Sequence, residues 1–529
     1  MKNMILERFK NSLRTREKQH GFLASHTYLI GDLHNHCNIS YGHGSLEKAI
    51  AFASQQLDFF SITGHFAWPD IASDQDIPIS DQVAAYHMEG FRKLQNNWDL
   101  YRRKMDAAES ESLIPFYSYE YHGLSNGDYT VVLRDTGMNL PPIPEAEDAL
   151  MNRLRGPADE KEIMFPHHIG YMKGYRGINW ETFNEEISPV VEIISLHGCA
   201  ESRNTPFPYL HTMGPLERSQ TMQGGLEQAH HFGVIGCTDH HNASPGSFQS
   251  GRTGLWASSF TREGIWRALK ERTTTALSGD AAQLALFVDN EPMGSVLFVQ
   301  DAKPCTVDLY AASYEEIQSI ELIHNSRVIR RVHPSDETYV PSRSPTRFIA
   351  LSFGWGEKGV ACQWDVHLEV QGNVLEGVYP RLRGVDVVDP LDTVSDESTS
   401  EISRTGSYVH LKTMTSGNPT VHDDATQGFV LEVSGGTAGT LRVSVHAVLG
   451  PTVLEREFSL VLEELESGSV SFHLDGFVSP VIHCEKAVTL EQCTAEIHEQ
   501  LILSPGDHLY ARVFQTNRDV AYTSPVSFR

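Results

Sequence analysis

Metal-ligand residue types arrive in order along the first half of this chain, each at the trailing end of a short apolar run. GDLHNHC carries His34 and His36, SITGH ends in His65, and FYSYEYH carries Glu120 and His122. PHHIG (His167, His168), EIISLHG (Glu192, His197) and GCTDHH (Asp239, His240, His241) follow. Imidazole nitrogens and carboxylate oxygens suit zinc, manganese or iron, and several converging on one point make a multinuclear site. Strands that repeatedly deliver an acid or a histidine at their C-terminal ends are how a parallel α/β barrel builds its active face.

The pattern between the motifs agrees. Residues 26–285 alternate short apolar runs with helical stretches, such as the stripe Leu46, Ala49, Ile50, Ala53 and Leu57. Residues 135–162 read as an insertion with one short helix, and residues 1–25 as an N-terminal helical extension. After residue 288 the period changes to two, as in Leu441, Val443, Val445 and Leu509, Ala511, Val513. That period suits antiparallel strands with one solvated face, and Gly- and Ser-rich breaks between them suit a β-sandwich. The expected division is therefore 1–25, a metal-binding domain at 26–287, and a β-rich domain at 288–529. The acidic, Ser- and Thr-rich stretch 386–405 reads as a flexible segment.

Composition narrows the function. A net charge of -26 argues against nucleic acid as a partner, which requires a basic surface. Seven dispersed cysteines without a CxxC pair argue against a disulfide framework and fit a reducing cytoplasm. Cys37, Cys199 and Cys237, close to the motifs, read as small buried fillers. No apolar run approaches the roughly 20 residues that span a bilayer, so no membrane role is expected.

Taken in order, DLHNH, ITGH, the lone glutamate, PHH, EIISLHG and CTDHH resemble the PHP (polymerase and histidinol phosphatase) superfamily. GDYTVVLRD, PHHIGY, VEIISLHGCAE, TDHHNASPG and TREGIWRALKERTTTALSGD are similar to a PHP-like family with a β-rich tail. The resemblance covers residues 28–300. It implies a distorted seven-stranded parallel barrel holding two to three divalent transition metal ions. His34, His36 and Asp239 would bind one ion; Glu120, His167 and His197 a second, with His168 the alternative to His167; His65 and His241, with His43, a third. The sequence departs from the family at Gly64, where an acid is usual, which implies a lost acid/base group or a wider pocket.

Other residues complete the candidate site. His122 and His240 would contact substrate or orient ligands, and Glu192 would support His197's strand or a ligand. Arg203, Arg176, Lys173 and Arg252 follow motif segments within loop distance of the rim; each is otherwise an ordinary solvated charge, and Arg203 is taken as the anion contact. The expected activity is a metal-dependent hydrolase, first a phosphoesterase on a small anionic substrate attacked by a metal-bridging hydroxide, with His122 or His240 protonating the leaving oxygen. The alternatives are amide, lactone or carbon–carbon bond hydrolysis on the same centre, and a carbohydrate- or protein-binding module with an inert barrel.

Overall fold

A computed structural model describes residues 3–71, 78–207, 209, 214–334, 345–357, 359–385, 398–416 and 425–529. Strands β1 (Thr27–Asp32), β2 (Phe59–Ala67) and β3 (Ile114–Tyr121) lie side by side and parallel. Parallel neighbours need crossovers, supplied here by the helices Leu46–Gln56 and Asp81–Ala108. Each helix starts where a serine caps it: Ser45 Oγ accepts from Lys48 N–H and Ser80 Oγ from Val83 N–H. The apolar stripe Leu46, Ala49 and Ala53 is buried.

Beyond β3 the expected parallel barrel fails. β4 (Asp128–Leu133) runs antiparallel to β3, and β5 (Glu162–His167) antiparallel to β4. Only residues 122–127 join β3 to β4, too few for a crossover of a dozen or more. β6 (Val190–Ser195), β7 (Gly198–Cys199) and β8 (Gly233–Gly236) form a separate sheet in which β6 and β8 alone are parallel. β9 (Arg252–Ala257) is antiparallel to β1, and β10 (Thr274–Leu277) to β9. Among the described residues, most strand pairings are antiparallel and belong to large sheets. The rim nevertheless survives: two reversals leave β5 running in the same direction as β1, β2 and β3, so their C-terminal ends still converge.

The main sheet has thirteen strands and continues past residue 287. The strand Val520–Thr523 pairs antiparallel with β10, through Thr275 opposite Thr523, and adjoins His508–Gln515. Between them in sequence, a six-stranded and a five-stranded antiparallel sheet share one core. Ile349, Leu351 and Phe353 face it from one sheet, and Val366, Leu368, Val443 and Val445 from the other. Burial along Ala361–Gln371 alternates with period two, the signature of one solvated face.

The N-terminal helices Met4–Arg8, Lys10–Leu13 and Glu17–Ser25 pack on this later part of the chain. Gln283 Oε1 accepts from Met4 and Ile5 N–H, and Arg16 Nε contacts Asp308 Oδ1 at 3.0 Å. Residues 386–397 of the acidic stretch lie outside the described residues. Its end is not loop: Glu401–Thr405 is a strand paired with Tyr408–Ser416. Among the described residues no helix is long and apolar enough to cross a membrane.

β2 shows how the sheet allots its faces. His65 points toward the motif residues, while its neighbour Gly64 points toward the helix Asp81–Ala108, where a Cβ would lie 2.3 Å from Leu94 Cδ1. The space an acid would need is filled by buried Leu94. Gly64→Asp should cost about 2–5 kcal/mol through overpacking and a buried carboxylate, read by urea denaturation. Leu94→Ala should recover part of that loss in the double variant.

Candidate metal centre

The motif loops are laced together by their backbones. Asp239 N–H donates to His34 O (2.7 Å), His36 N–H to His240 O (2.8 Å) and Ala243 N–H to His36 O (3.0 Å). Asp32, at the end of β1, accepts from His34 N–H, Thr238 N–H, Thr238 Oγ1 and Gly246 N–H. His168, Asp239 and Ala243 all have φ near +51°, a left-handed conformation that persists only where surroundings over-determine it.

This lacing brings His34, His36, His65, Glu120, His122, His167, His168, His197, Asp239 and His241 into one cluster. Asp239 Oδ1 lies 3.0 Å from His36 Nε2 and 3.3 Å from His34 Nε2, which are themselves 3.2 Å apart. Asp239 Oδ2 lies 2.5 Å from His168 Nε2 and 3.0 Å from His197 Nε2. Glu120 Oε1 is 3.1 Å from His167 Nε2 and 3.0 Å from His122 Nδ1. Its Oε2 faces the Nε2 atoms of His36 and His65, each at 3.5 Å, and of His34 at 3.9 Å.

The far sides of four rings are occupied. His36 Nδ1 donates to Thr63 O (2.7 Å), His241 Nδ1 to Asp239 O (2.9 Å), and His34 Nδ1 meets Glu192 Oε2 (2.9 Å). Ser40 Oγ holds His65 Nδ1 at 2.9 Å. Such contacts fix which nitrogen offers a lone pair, and they turn the Nε2 atoms inward.

Three observations fit divalent cations. First, Glu120 Oε2 is buried with no hydrogen-bond partner, and an orphaned carboxylate oxygen is expensive. Second, the lone pairs of His34 and His36 face each other and Asp239. The 3.0–3.3 Å separations match the roughly 3.3 Å expected between tetrahedral ligands about 2.0 Å from zinc. Third, the carboxylates Glu120, Asp128, Glu192 and Asp239 are buried together, with Arg176 as the permanent cation among them. Groups able to hold an ion include His34–His36–Asp239, His34–Glu120–His167 and His36–His65–His241.

The electrostatics point the same way. Burial alone would raise Glu120 and Asp239; the imidazoles around each, His122 and His65 for Glu120, His34 and His168 for Asp239, hold them well below the carboxylate range instead. Burial, with repulsion from His36, holds His65 and His241 well below the usual histidine range. Burial and His34 push His167 down to about 3. These rings are neutral, the form that binds metal. His34 is raised against its burial by Asp239 and Glu192, so a proton there stands in for a cation. Burial lifts Glu192 to about 7.

Several candidates sit elsewhere than expected. His197 faces Asp239 rather than Glu120. His43 donates its N–H to His241 O, and its Nε2 is buried without a hydrogen-bond partner. His240 is turned out of the cluster: its Nδ1 accepts from Asn242 N–H (3.1 Å) and its Cε1 lies against Gly384. Arg203 is exposed, because the tight hairpin from β6 into β7 reverses the chain away from the rim. The arginine at the site is Arg176. It contacts Asp128 Oδ2 through Nε (2.6 Å) and His122 Nδ1 through a terminal nitrogen (2.6 Å), and lies 4.0 Å from Glu120 Oε1.

Sequence reasoning missed Asp128, although its GDYTVVLRD segment was singled out, and Tyr41. Tyr41 Oη meets His122 Nε2 at 2.6 Å, and its ring stacks on His65 at 3.5 Å. All seven cysteines are free and buried.

No protein-family model matches the chain. Two uncharacterised proteins, from Chlamydia trachomatis and Chlamydia muridarum, are 26% and 24% identical over 178 residues, 31% of this chain. The match spans only 29% of the length of each of these curated relatives. Among solved structures, a two-domain protein from Bacteroides vulgatus containing a predicted PHP-like metal-dependent phosphoesterase is 12% identical, with a TM-score of 0.31. The similarity covers 82% of this chain and 96% of that one. PsfC from Pseudomonas syringae is 14% identical over 47% of this chain and 91% of its own, with a TM-score of 0.30. At such TM-scores neither likeness bears on the fold or the activity.

Glu192 gives a direct test of the outer contacts. Glu192→Gln should weaken metal retention about 10- to 100-fold, measured by competition with a chelator, while leaving thermal stability of the metal-free protein nearly unchanged.

Proposed function

We propose that the protein is a metal-dependent hydrolase acting on a small phosphorylated substrate. The observation that carries this reading is the unpartnered Glu120 Oε2, buried among the inward-turned nitrogens of His34, His36 and His65. Bound divalent ions would supply Lewis acidity and bring the ionisation of water toward neutral pH. His34, His36 and Asp239 would hold one; because each ring offers a single inward lone pair, Glu120 and His167 would serve a second and His65 and His241 a third.

The chain's own groups supply recognition and proton handling. In this cluster only His241 and Arg176 keep appreciable solvent contact, with side chains 14% and 19% exposed; the others are 4% or less. An anion arriving from solvent therefore meets Arg176, already aimed by its bond to Asp128. His122 Nδ1 lies 2.6 Å from a terminal nitrogen of Arg176 and 3.0 Å from Glu120 Oε1, and its Nε2 lies 2.6 Å from Tyr41 Oη. His122 is thus placed to carry a proton for the leaving oxygen, a role His240 cannot share with its ring turned away. Gly64 faces Leu94, so its missing side chain does not widen the site.

Elemental analysis of unchelated protein should find about two to three equivalents of transition metal, falling in Asp239→Ala. Phosphate release from a panel of small phosphomonoesters with zinc, manganese or iron should follow metal content. Arg176→Lys keeps the charge but loses the fork, and should raise KM about tenfold with a smaller change in kcat. Less than about half an equivalent of metal, unchanged by the substitution, would overturn the reading.

A further inference from the structure

The loop that follows Asp239 is gripped from two sides. Asp32 Oδ2 accepts from Gly246 N–H (2.8 Å) and Arg252 Nε donates to Gly246 O (2.8 Å), tying the loop to its own sheet. On the other side lies a short strap at the end of the strand Val374–Arg381, in the β-rich half of the chain. Phe248 N–H donates to Leu382 O (2.9 Å), Arg383 donates to Gln249 Oε1 (2.6 Å) and Gly384 N–H donates to Ser247 Oγ (3.0 Å). Asn242 Nδ2 reaches Val385 O at 3.4 Å. Phe248 sits under Arg381 and Arg383, whose guanidinium carbons lie 5.2 and 4.7 Å from its ring centre. Arg381 anchors the strap through a two-pronged contact with Asp280.

Gly384 is the point of closest approach. A Cβ there would lie 2.3 Å from Ser244 Cβ and Oγ and 2.8 Å from His240 Cε1, so only glycine lets the strap seat. His240 is flanked in sequence by the cluster residues Asp239 and His241. Asp239 and Ala243, at the start of the loop, hold left-handed backbones that their surroundings must enforce.

We propose that the strap 381–385 is a positioning element for the metal centre: the β-rich half of the chain fixes Asp239 and His241 by clamping the loop behind them. Gly384 and Ser247 act through that loop and touch no ion. The metal arm of this inference rests on the reading of the cluster as a metal site; the backbone arm does not.

The test compares full-length wild-type protein with Gly384→Val, Ser247→Ala and the control Val366→Ala, which opens the core between the two sheets without touching the strap's hydrogen bonds to the loop. Zinc affinity is measured by chelator competition, and amide exchange at Asp239 and Ala243 is measured in metal-free protein. Gly384→Val should bind zinc at least about tenfold more weakly and exchange those amides faster by a similar factor. Ser247→Ala should show about a fivefold change in both. Val366→Ala should lower the thermal midpoint and change neither. If Gly384→Val does not fold, Gly384→Ala and Ser247→Ala decide in its place. Wild-type affinity and exchange in the strap variants, or an equal change in Val366→Ala, overturns the inference. Should wild-type protein bind no zinc, the metal reading falls, and the exchange arm alone decides: faster exchange supports the clamp and unchanged exchange overturns it.

Discussion

Glu120, Asp128, Glu192 and Asp239, buried together beside the partly exposed Arg176, set the terms for everything around them. Charges removed from water must be paired, and one guanidinium cannot balance four carboxylates. The imidazoles close part of the gap by accepting protons, as His34 and His168 do beside Asp239. A ring that has taken up a proton no longer offers a lone pair. A divalent cation would therefore compete with protons for the same inward-facing nitrogens, and the neutral state of His65, His167 and His241 leaves their lone pairs available.

That demand explains the architecture better than any parallel barrel does. What the cluster needs is several strand ends meeting at one place, and strand direction matters only at those ends. β1, β2 and β3 achieve this by crossovers, β5 by a double reversal, and β6 and β8 from a separate sheet. Outer contacts then aim four of the rings: Thr63 and Asp239 carbonyls for His36 and His241, Glu192 for His34, Ser40 for His65.

The members of the cluster were legible as candidates because histidines and acids just past apolar runs have no packing rationale. His34, His36, Glu120 and Asp239 were singled out on that ground, and the structure brings them together. The sheet directions were misjudged although the clue was present, since residues 122–127 cannot span a crossover. Other features had no local signal. Arg176, Arg203, Lys173 and Arg252 look alike in sequence, and only the fold brings Arg176 to Asp128. His240 and His241 are neighbours, and the left-handed turn at Asp239 accompanies their divergence. Gly384 lies in a stretch without pattern, and its closeness to Ser244 depends on packing across the whole chain.

The pairing of Thr275 with Thr523 has a bearing on how the protein comes to exist. A ribosome finishes the motif-bearing strands long before it makes the strand that covers β10. Until then β10 presents an open edge, with unpaired backbone groups able to recruit a stranger's strand. The N-terminal helices wait too, since Arg16 must find Asp308. Contacts so distant in sequence slow folding and lengthen the time that such edges stay exposed. The nascent chain therefore carries that unsatisfied edge until the strand Val520–Thr523 emerges to pair with β10.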